Sequence, residues 1–163
     1  MALMLMGRLI LSVNTTTLDV GYAKDMAEYR IIGTSLGTSM IEQSNALAYD
    51  ETTVDTNVTA TSMLTLASSF GPDGLENASS FDDIDDFHNF TKYDTLQSVV
   101  YKSRVLVTYL NVTSTAITPT TTRSYNKQIT VEVTSDYLVD YTLNPPKPDT
   151  LRFRTVFSYW FFR

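Results

Sequence analysis

Residues 1–13 read MALMLMGRLILSV, an apolar segment whose single charge is Arg8. Helical spacing of apolar residues continues beyond this segment to Leu47, and no proline occurs before Pro72. These features predict one helix from about residue 2 to about residue 48, which at ~1.5 Å per residue would be roughly 70 Å long. A compact domain of this size is much shorter than that. We therefore expect other molecules to cover the exposed part of the helix.

The composition is that of a folded protein that does not use nucleic acid as its main partner. Of 163 residues, 43% are hydrophobic and 18% are charged, which is enough apolar material for a core. The net charge of −6 argues against nucleic-acid binding, and the absence of cysteine excludes disulfides and thiolate metal sites. No phosphate-binding glycine loop, dinucleotide fingerprint or nucleophile elbow occurs. We therefore expect no enzymatic activity, no cofactor and no small-molecule substrate.

The pattern of the chain changes twice and divides it into three regions. Residues 1–48 are helical, and residues 49–98 form a region of loops rich in Thr, Ser, Asn and Asp. From residue 99 to residue 163 the apolar period changes to two, which predicts β-strands joined as an antiparallel meander. The clearest strands are Val99–Val112, Ser124–Thr134 and Leu151–Phe162. The expected fold is α+β, with a long N-terminal helix packed on an antiparallel sheet of three to four strands.

Two sets of apolar residues on the helix predict two kinds of neighbour. A stripe from Leu18 to Leu47 recurs every three or four residues and is expected to pack partly on the sheet of the same chain. Gly33 and Gly37 form a G-x-x-x-G spacing, which permits close helix approach but is common by chance. The apolar tip is expected to pack against equivalent segments of other copies. Its residues are Leu3, Met4, Leu5, Met6, Leu9, Ile10, Leu11, Val13 and Leu18.

An acidic segment, FDDIDDFHNF at residues 81–90, is the most unusual short stretch. In one interpretation it is a turn in which Asp side chains accept hydrogen bonds from backbone N–H groups while Phe81, Ile84 and Phe87 pack inward. In the other, its carboxylates bind a cation through oxygen ligands, although the EF-hand spacing is absent. The candidate ligands are Asp82, Asp83, Asp85 and Asp86.

Five N-x-S/T sequons occur in the chain. The sequon at Asn14 lies on the helix, where burial is expected, so the glycosylation candidates are the other four. These are Asn57, Asn77, Asn89 and Asn111. Glycosylation at such sites would suit an exported, exposed protein.

The order of these parts resembles that of the type IV pilin family. Residues 40–51 (MIEQSNALAYDE) are similar to the helix exit of minor pilins. Residues 81–90 are similar to the DD-x-DD segment of minor pilins of the mannose-sensitive haemagglutinin pilus and of related pseudopilins. Leu5 is a departure, since mature pilins carry a glutamate as their fifth residue.

The resemblance implies a structural subunit of an extracellular, cell-surface filament. Such a subunit is inserted in the inner membrane before assembly and then polymerises with identical subunits through its N-terminal helix. Two alternatives remain: a pseudopilin of a type II-like secretion system, and a membrane-anchored monomeric binding domain. Arg8 and Asn14 interrupt a short apolar run, which counts against a membrane span.

Overall fold

One helix, α1 (Ala2–Asn45), accounts for 44 residues and is the longest element of the fold. The computed structural model describes residues 2–74 and 76–159, with side chains from Met4 onward. The long helix is confirmed, and it ends slightly before the predicted residue 48. There the N–H groups of Ala46 and Leu47 bond to carbonyls three residues back, and the N–H of Ala48 bonds to the carbonyl of Asp82. The chain after α1 is therefore already joined to the acidic segment.

The rest of the fold is an antiparallel sheet of five strands, against which α1 packs. The strands are β1 (Thr91–Leu96), β2 (Val99–Val112), β3 (Ile117–Thr120), β4 (Asn126–Asp140) and β5 (Lys147–Ser158). Their order is β1-β2-β4-β5, and β3 pairs with the end of β2. A short helix, α2 (Glu51–Asp55), follows α1.

The sheet has two strands that the apolar pattern did not reveal. The expected number was three to four, and β1 lies within residues 49–98, where loops were expected. β1 is mostly polar and half-exposed, and β3 has only four residues, one of which is Pro119. Strands that bury so little apolar surface have no alternating pattern to detect. The predicted strand that ended at Phe162 begins earlier, at Lys147, and its last residues lie outside the described part of the chain.

The core forms where the inward faces of β2 and β4 meet α1. Val105 pairs with Val131 and Val107 with Ile129, and the exposed fraction of each of these side chains is 1% or less. Met40 of α1 belongs to the same cluster. This alternation of buried and exposed residues is the one that the period-two pattern predicts.

Gly33 and Gly37 let α1 approach β5 closely. A Cβ atom at Gly37 would lie 2.4 Å from the ring of Phe153, and one at Gly33 would lie 2.8 Å from Cδ1 of Leu151. The G-x-x-x-G spacing therefore serves helix–sheet packing within this chain. Toward its N-terminus, α1 leaves the sheet at Tyr22, whose hydroxyl bonds to that of Tyr141. We call the sheet, its loops and the part of α1 that packs on them the head.

Candidate functional site

The first candidate site is the projecting segment, which we define as residues 4–21 of α1. Every residue in it is exposed, and its large apolar side chains retain 60–82% of their accessible surface. They include eight of the residues predicted to form the assembly core: Met4, Leu5, Met6, Leu9, Ile10, Leu11, Val13 and Leu18. The side chain of the ninth, Leu3, lies outside the described part. The exposed apolar tip is thus present in the single chain.

The threonine hydroxyls of the projecting segment bond within their own helix. The hydroxyl of Thr15 bonds to the carbonyls of Leu11 and Ser12, and that of Thr17 bonds to the carbonyl of Val13 at 2.8 Å. Each hydroxyl donates within its own helix, so the segment can be buried without leaving these groups unsatisfied. Among the described residues, no helix is both long and apolar enough to cross a membrane.

The second candidate site, which we call the lysine site, is the buried side chain of Lys127 with its partners. Lys127 lies on β4 and is completely buried. Its Nζ is 2.6 Å from the carbonyl oxygen of Tyr49 and 3.0 Å from Oδ2 of Asp50. It is also 2.7 Å from Oδ1 and 2.8 Å from Oδ2 of Asp85. Buried lysines are rare and need such partners, because an unpaired charge in the interior is very costly.

Aromatic rings enclose the lysine site on its remaining sides. Nζ lies 4.3 Å from the ring centre of Tyr49, 5.2 Å from that of Phe70 and 5.3 Å from that of Tyr109. These distances are within the range of cation–π attraction. The ammonium group is therefore held by acceptors and ring faces together.

Asp50 is fixed by many donors. It is the N-cap of α2, and its carboxylate accepts hydrogen bonds from the N–H groups of Thr52 and Thr65 and from the hydroxyl of Tyr109. Burial alone would raise its pKa, but the Lys127 ammonium and these hydrogen bonds outweigh burial and lower it. Asp50 is therefore ionised at neutral pH.

Asp85 is held much less firmly. Burial raises its pKa to about 8, although Lys127 opposes this shift. Its Oδ1 is buried, and the contact of this oxygen with Nζ lacks the geometry of a hydrogen bond. The two aspartates of the lysine site thus differ, since the pKa of Asp50 is lowered and that of Asp85 is raised.

Sequence reasoning did not find Lys127, although a signal was present. Lys127 has the same period-two phase as Ile129, Val131 and Val133, which form the buried face of β4. A lysine in phase with an apolar face predicts either a strand end at the surface or a buried charge with partners. Which of these two applies to Lys127 depends on its partners Asp50 and Asp85, which lie far away in sequence.

The acidic segment has the geometry of a hydrogen-bonded turn. Oδ2 of Asp86 accepts from the N–H groups of Asp82 and Asp83, and Oδ1 of Asp83 accepts from the N–H of Asp86 at 3.1 Å. Ile84 is fully buried, and the rings of Phe81, Phe87 and Phe90 pack edge to face. Burial raises the pKa of Asp83 to about 7 and that of Asp86 to about 6.

The four carboxylates proposed as cation ligands do not converge. Asp82 is exposed, Asp85 faces Lys127, and Asp83 and Asp86 bind backbone N–H groups. Among the described residues, the carboxylates that do approach one another are those of Glu76, Asp82 and Asp86, with oxygens within 4.8 Å. Of these three residues only Asp82 is exposed, and Oδ2 of Asp86 already accepts backbone hydrogen bonds. The cation interpretation therefore gains no support from Asp83 or Asp85.

His88, the one histidine of the chain, has a structural partner. Its Nδ1 accepts a hydrogen bond from the N–H of Val107 at 3.1 Å, and its ring packs edge to face on Phe70. Burial lowers its pKa, so the ring is neutral in the fold. It completes the hydrogen bonding of β2 between β1 and β3.

The candidate glycosylation sites Asn57, Asn77, Asn89 and Asn111 are all exposed. Oδ1 of Asn77 accepts from the N–H of Ser79, and Oδ1 of Asn89 accepts from Arg104. Asn14, which was expected to be buried, is exposed on the projecting segment of the single chain.

Fold and sites together define an α+β protein in which one long helix extends from a five-stranded antiparallel head. The chain matches no family model, no curated protein and no solved structure.

Proposed function

We propose that this chain is the structural subunit of a helical filament of the type IV pilus kind and that it polymerises through the projecting segment. The observation that carries the proposal is the exposure of nine large apolar side chains on one helical segment. A monomer in water would leave this surface uncovered, and such surfaces mark sites of association.

The energetics favour identical copies as the partner. Burying a Leu, Ile, Val or Met side chain contributes roughly 1.5–3 kcal/mol. Several such side chains on each copy offset the cost of association, which is about 4–15 kcal/mol. Copies that pack through different faces of the same helix make a head-to-tail contact, which continues into an open helical polymer when its rotation does not close into a ring. The heads would then form the outer surface of the filament.

The proposed location is the cell surface, with insertion in the inner membrane before assembly. The exposed sequons of the head suit such a location, because glycans would project away from the helical core. A pseudopilin would have the same assembly chemistry in a short polymer, and a membrane-anchored monomer would place the projecting segment in lipid. Whether a polymer forms, and how long it is, distinguishes the pilus subunit, the pseudopilin and the membrane-anchored monomer.

The test is electron microscopy in negative stain, combined with sedimentation, on the purified full chain without detergent. We expect helical filaments for the natural sequence. Long filaments support a pilus subunit, and short rods support a pseudopilin. Uniform globular particles would contradict the proposal.

Leu9→Asp tests whether the projecting segment is the assembly core. A charge at this position would have to be buried among apolar side chains, which is very costly, so we expect at least a tenfold loss of sedimentable polymer. Thr121→Asp is the matched control, since Thr121 is exposed in a loop of the head. Normal polymers from the Leu9 variant would exclude the projecting segment as the assembly core.

A further inference from the structure

The ammonium nitrogen of Lys127 contacts both oxygens of the Asp85 carboxyl group. The two Nζ–O distances are 2.7 and 2.8 Å, so Nζ is about 3 Å from the carboxyl carbon, the separation of a near-attack arrangement. The nearer contact, to Oδ1, lacks hydrogen-bond geometry. The nitrogen is thus within reach of the carbon, and a rotation of the carboxyl group about its Cβ–Cγ bond would turn the face of the carbon toward the nitrogen.

The surroundings of both groups exclude water. Lys127 is completely buried and Asp85 is 3% exposed. The rings of Tyr49, Phe70 and Tyr109 lie close to the nitrogen. A lysine amine is a nucleophile once its proton has been transferred to a base.

A second carboxylate is in place to accept that proton. Oδ2 of Asp50 lies 3.0 Å from Nζ, and Thr65 and Tyr109 hold this carboxylate in position. Asp50 therefore touches the reacting nitrogen directly. Thr65 and Tyr109 are positioning residues.

We propose that Lys127 and Asp85 become joined by an intramolecular amide bond, which forms spontaneously in the folded chain with Asp50 as the catalytic base. The inference does not depend on the filament proposal, because it concerns only the interior of the head. The bond would tie β4 to the acidic segment across 42 residues of sequence.

The reaction balances without any added reagent. Asp50 takes one proton from the Lys127 ammonium, and the neutral amine attacks the carboxyl carbon of protonated Asp85. The C–N bond forms, and the tetrahedral intermediate expels the hydroxyl group as water after it receives a proton from the site. The products are one amide, one water molecule and a protonated Asp50. No group is oxidised or reduced.

The test is the mass of the intact, denatured chain, compared with the mass calculated from its sequence. We expect the folded chain to be lighter by one water, about 18 Da. Trypsin should then release residues 31–92 covalently linked to residues 124–152, because Lys127 is no longer a cleavage site. Fragmentation of this species locates the bond at Asp85 or Asp50.

Variants separate the roles of the three residues. Lys127→Arg should have its full calculated mass, whereas Lys102→Arg, at an exposed position of β2, should still lose water. Asp85→Asn should lose ammonia, about 17 Da, because the amide then replaces an amide nitrogen. Asp50→Asn should leave most of the chain unlinked.

The proposal is overturned if the natural chain, shown to be folded by circular dichroism, has its full calculated mass. The assignment of Asp85 as the residue linked to Lys127 is overturned if Asp85→Asn still loses water. Should Lys127→Arg fail to fold, the masses of the natural chain and of Asp85→Asn decide the question without it.

Discussion

At the residue scale, one lysine organises three segments that are distant in sequence. Lys127 lies 77 residues from Asp50 and 42 residues from Asp85, and it contacts both. It brings together the chain after α1, the acidic segment and β4. A buried ion pair seldom adds much stability in itself, but removing one partner leaves an uncompensated charge at a cost of about 3–5 kcal/mol. The lysine site therefore favours one arrangement of these segments over others.

The carboxyl groups of the acidic segment make stability depend on pH. Burial, followed by the nearby Asp86, raises the pKa of Asp83 to about 7, against about 3.9 in an unfolded chain. The folded state therefore binds a proton more tightly than the unfolded state. The stability that this provides is complete below about pH 4 and is lost as the pH rises to about 7.

Asp83→Asn should remove this dependence. The amide oxygen can still accept from the N–H of Asp86, but the side chain no longer ionises next to Asp86. Relative to the natural chain, the free energy of unfolding of the variant should rise by up to about 4 kcal/mol between pH 4 and pH 8. Urea unfolding at several pH values measures it. Asp136→Asn, at an exposed position, is the control, and equal pH profiles for the natural chain and Asp83→Asn would disprove the argument.

At the element scale, α1 is one continuous helix with two environments. Its C-terminal half packs on β4 and β5 through the stripe that includes Tyr29, Gly33 and Met40. In its N-terminal half, residues 4–21 are all exposed. The same helical periodicity therefore leads to burial in one half and to exposure in the other.

Gly37→Ala should destabilise the head. The new Cβ would lie 2.4 Å from the Phe153 ring, which is too close. Either the partly buried Phe153 ring or α1 must move, so we expect a loss of about 1–3 kcal/mol, even though alanine favours helix by up to about 1 kcal/mol. Urea unfolding followed by far-UV circular dichroism measures the loss.

Gly21→Ala is the matched control for this prediction. A Cβ at Gly21 meets no atom within 4 Å, so only the gain in helix propensity remains. Helicity should rise slightly while the unfolding of the head stays unchanged. Equal stability of Gly37→Ala and the natural chain would mean that the helix–sheet contact is looser than described.

At the scale of the whole molecule, the chain consists of a folded head and a segment that adds nothing to the head. Residues 4–21 are all exposed, and the polar side-chain bonds of Thr15, Thr16 and Thr17 remain within the helix. The free energy that holds the head together therefore comes from the sheet, the lysine site and the C-terminal half of α1. This exposure is the basis on which association is proposed for the projecting segment.

Deletion of residues 1–21 should separate these two properties. We expect the shortened chain to unfold with a free energy within about 1 kcal/mol of that of the full chain, because residues 4–21 are all exposed. It should also be monomeric by analytical ultracentrifugation. A shortened chain that fails to fold would show that the head depends on the segment, and one that still polymerises would place the assembly surface on the head.

The sequence by itself determined the elements whose pattern is local. Residues three or four apart share a helix face and alternate residues share a strand face, so α1, the bounds of β2 and the buried face of β4 followed from spacing alone. The acidic segment was correctly expected to contain capping aspartates and inward aromatic residues. The strands β1 and β3 were not predicted, because they bury little apolar surface.

Only the tertiary structure decided which distant residues meet. Asp50, Asp85 and Lys127 lie in three different elements, and the contacts of Gly33 and Gly37 are on β5 rather than on another helix. Local spacing indicates which face of an element is apolar, but the tertiary packing determines which other element covers that face. For the same reason, the sequence indicated the apolar tip, but only the tertiary structure showed that the tip is exposed in the single chain. It is exposed because α1 extends beyond the sheet.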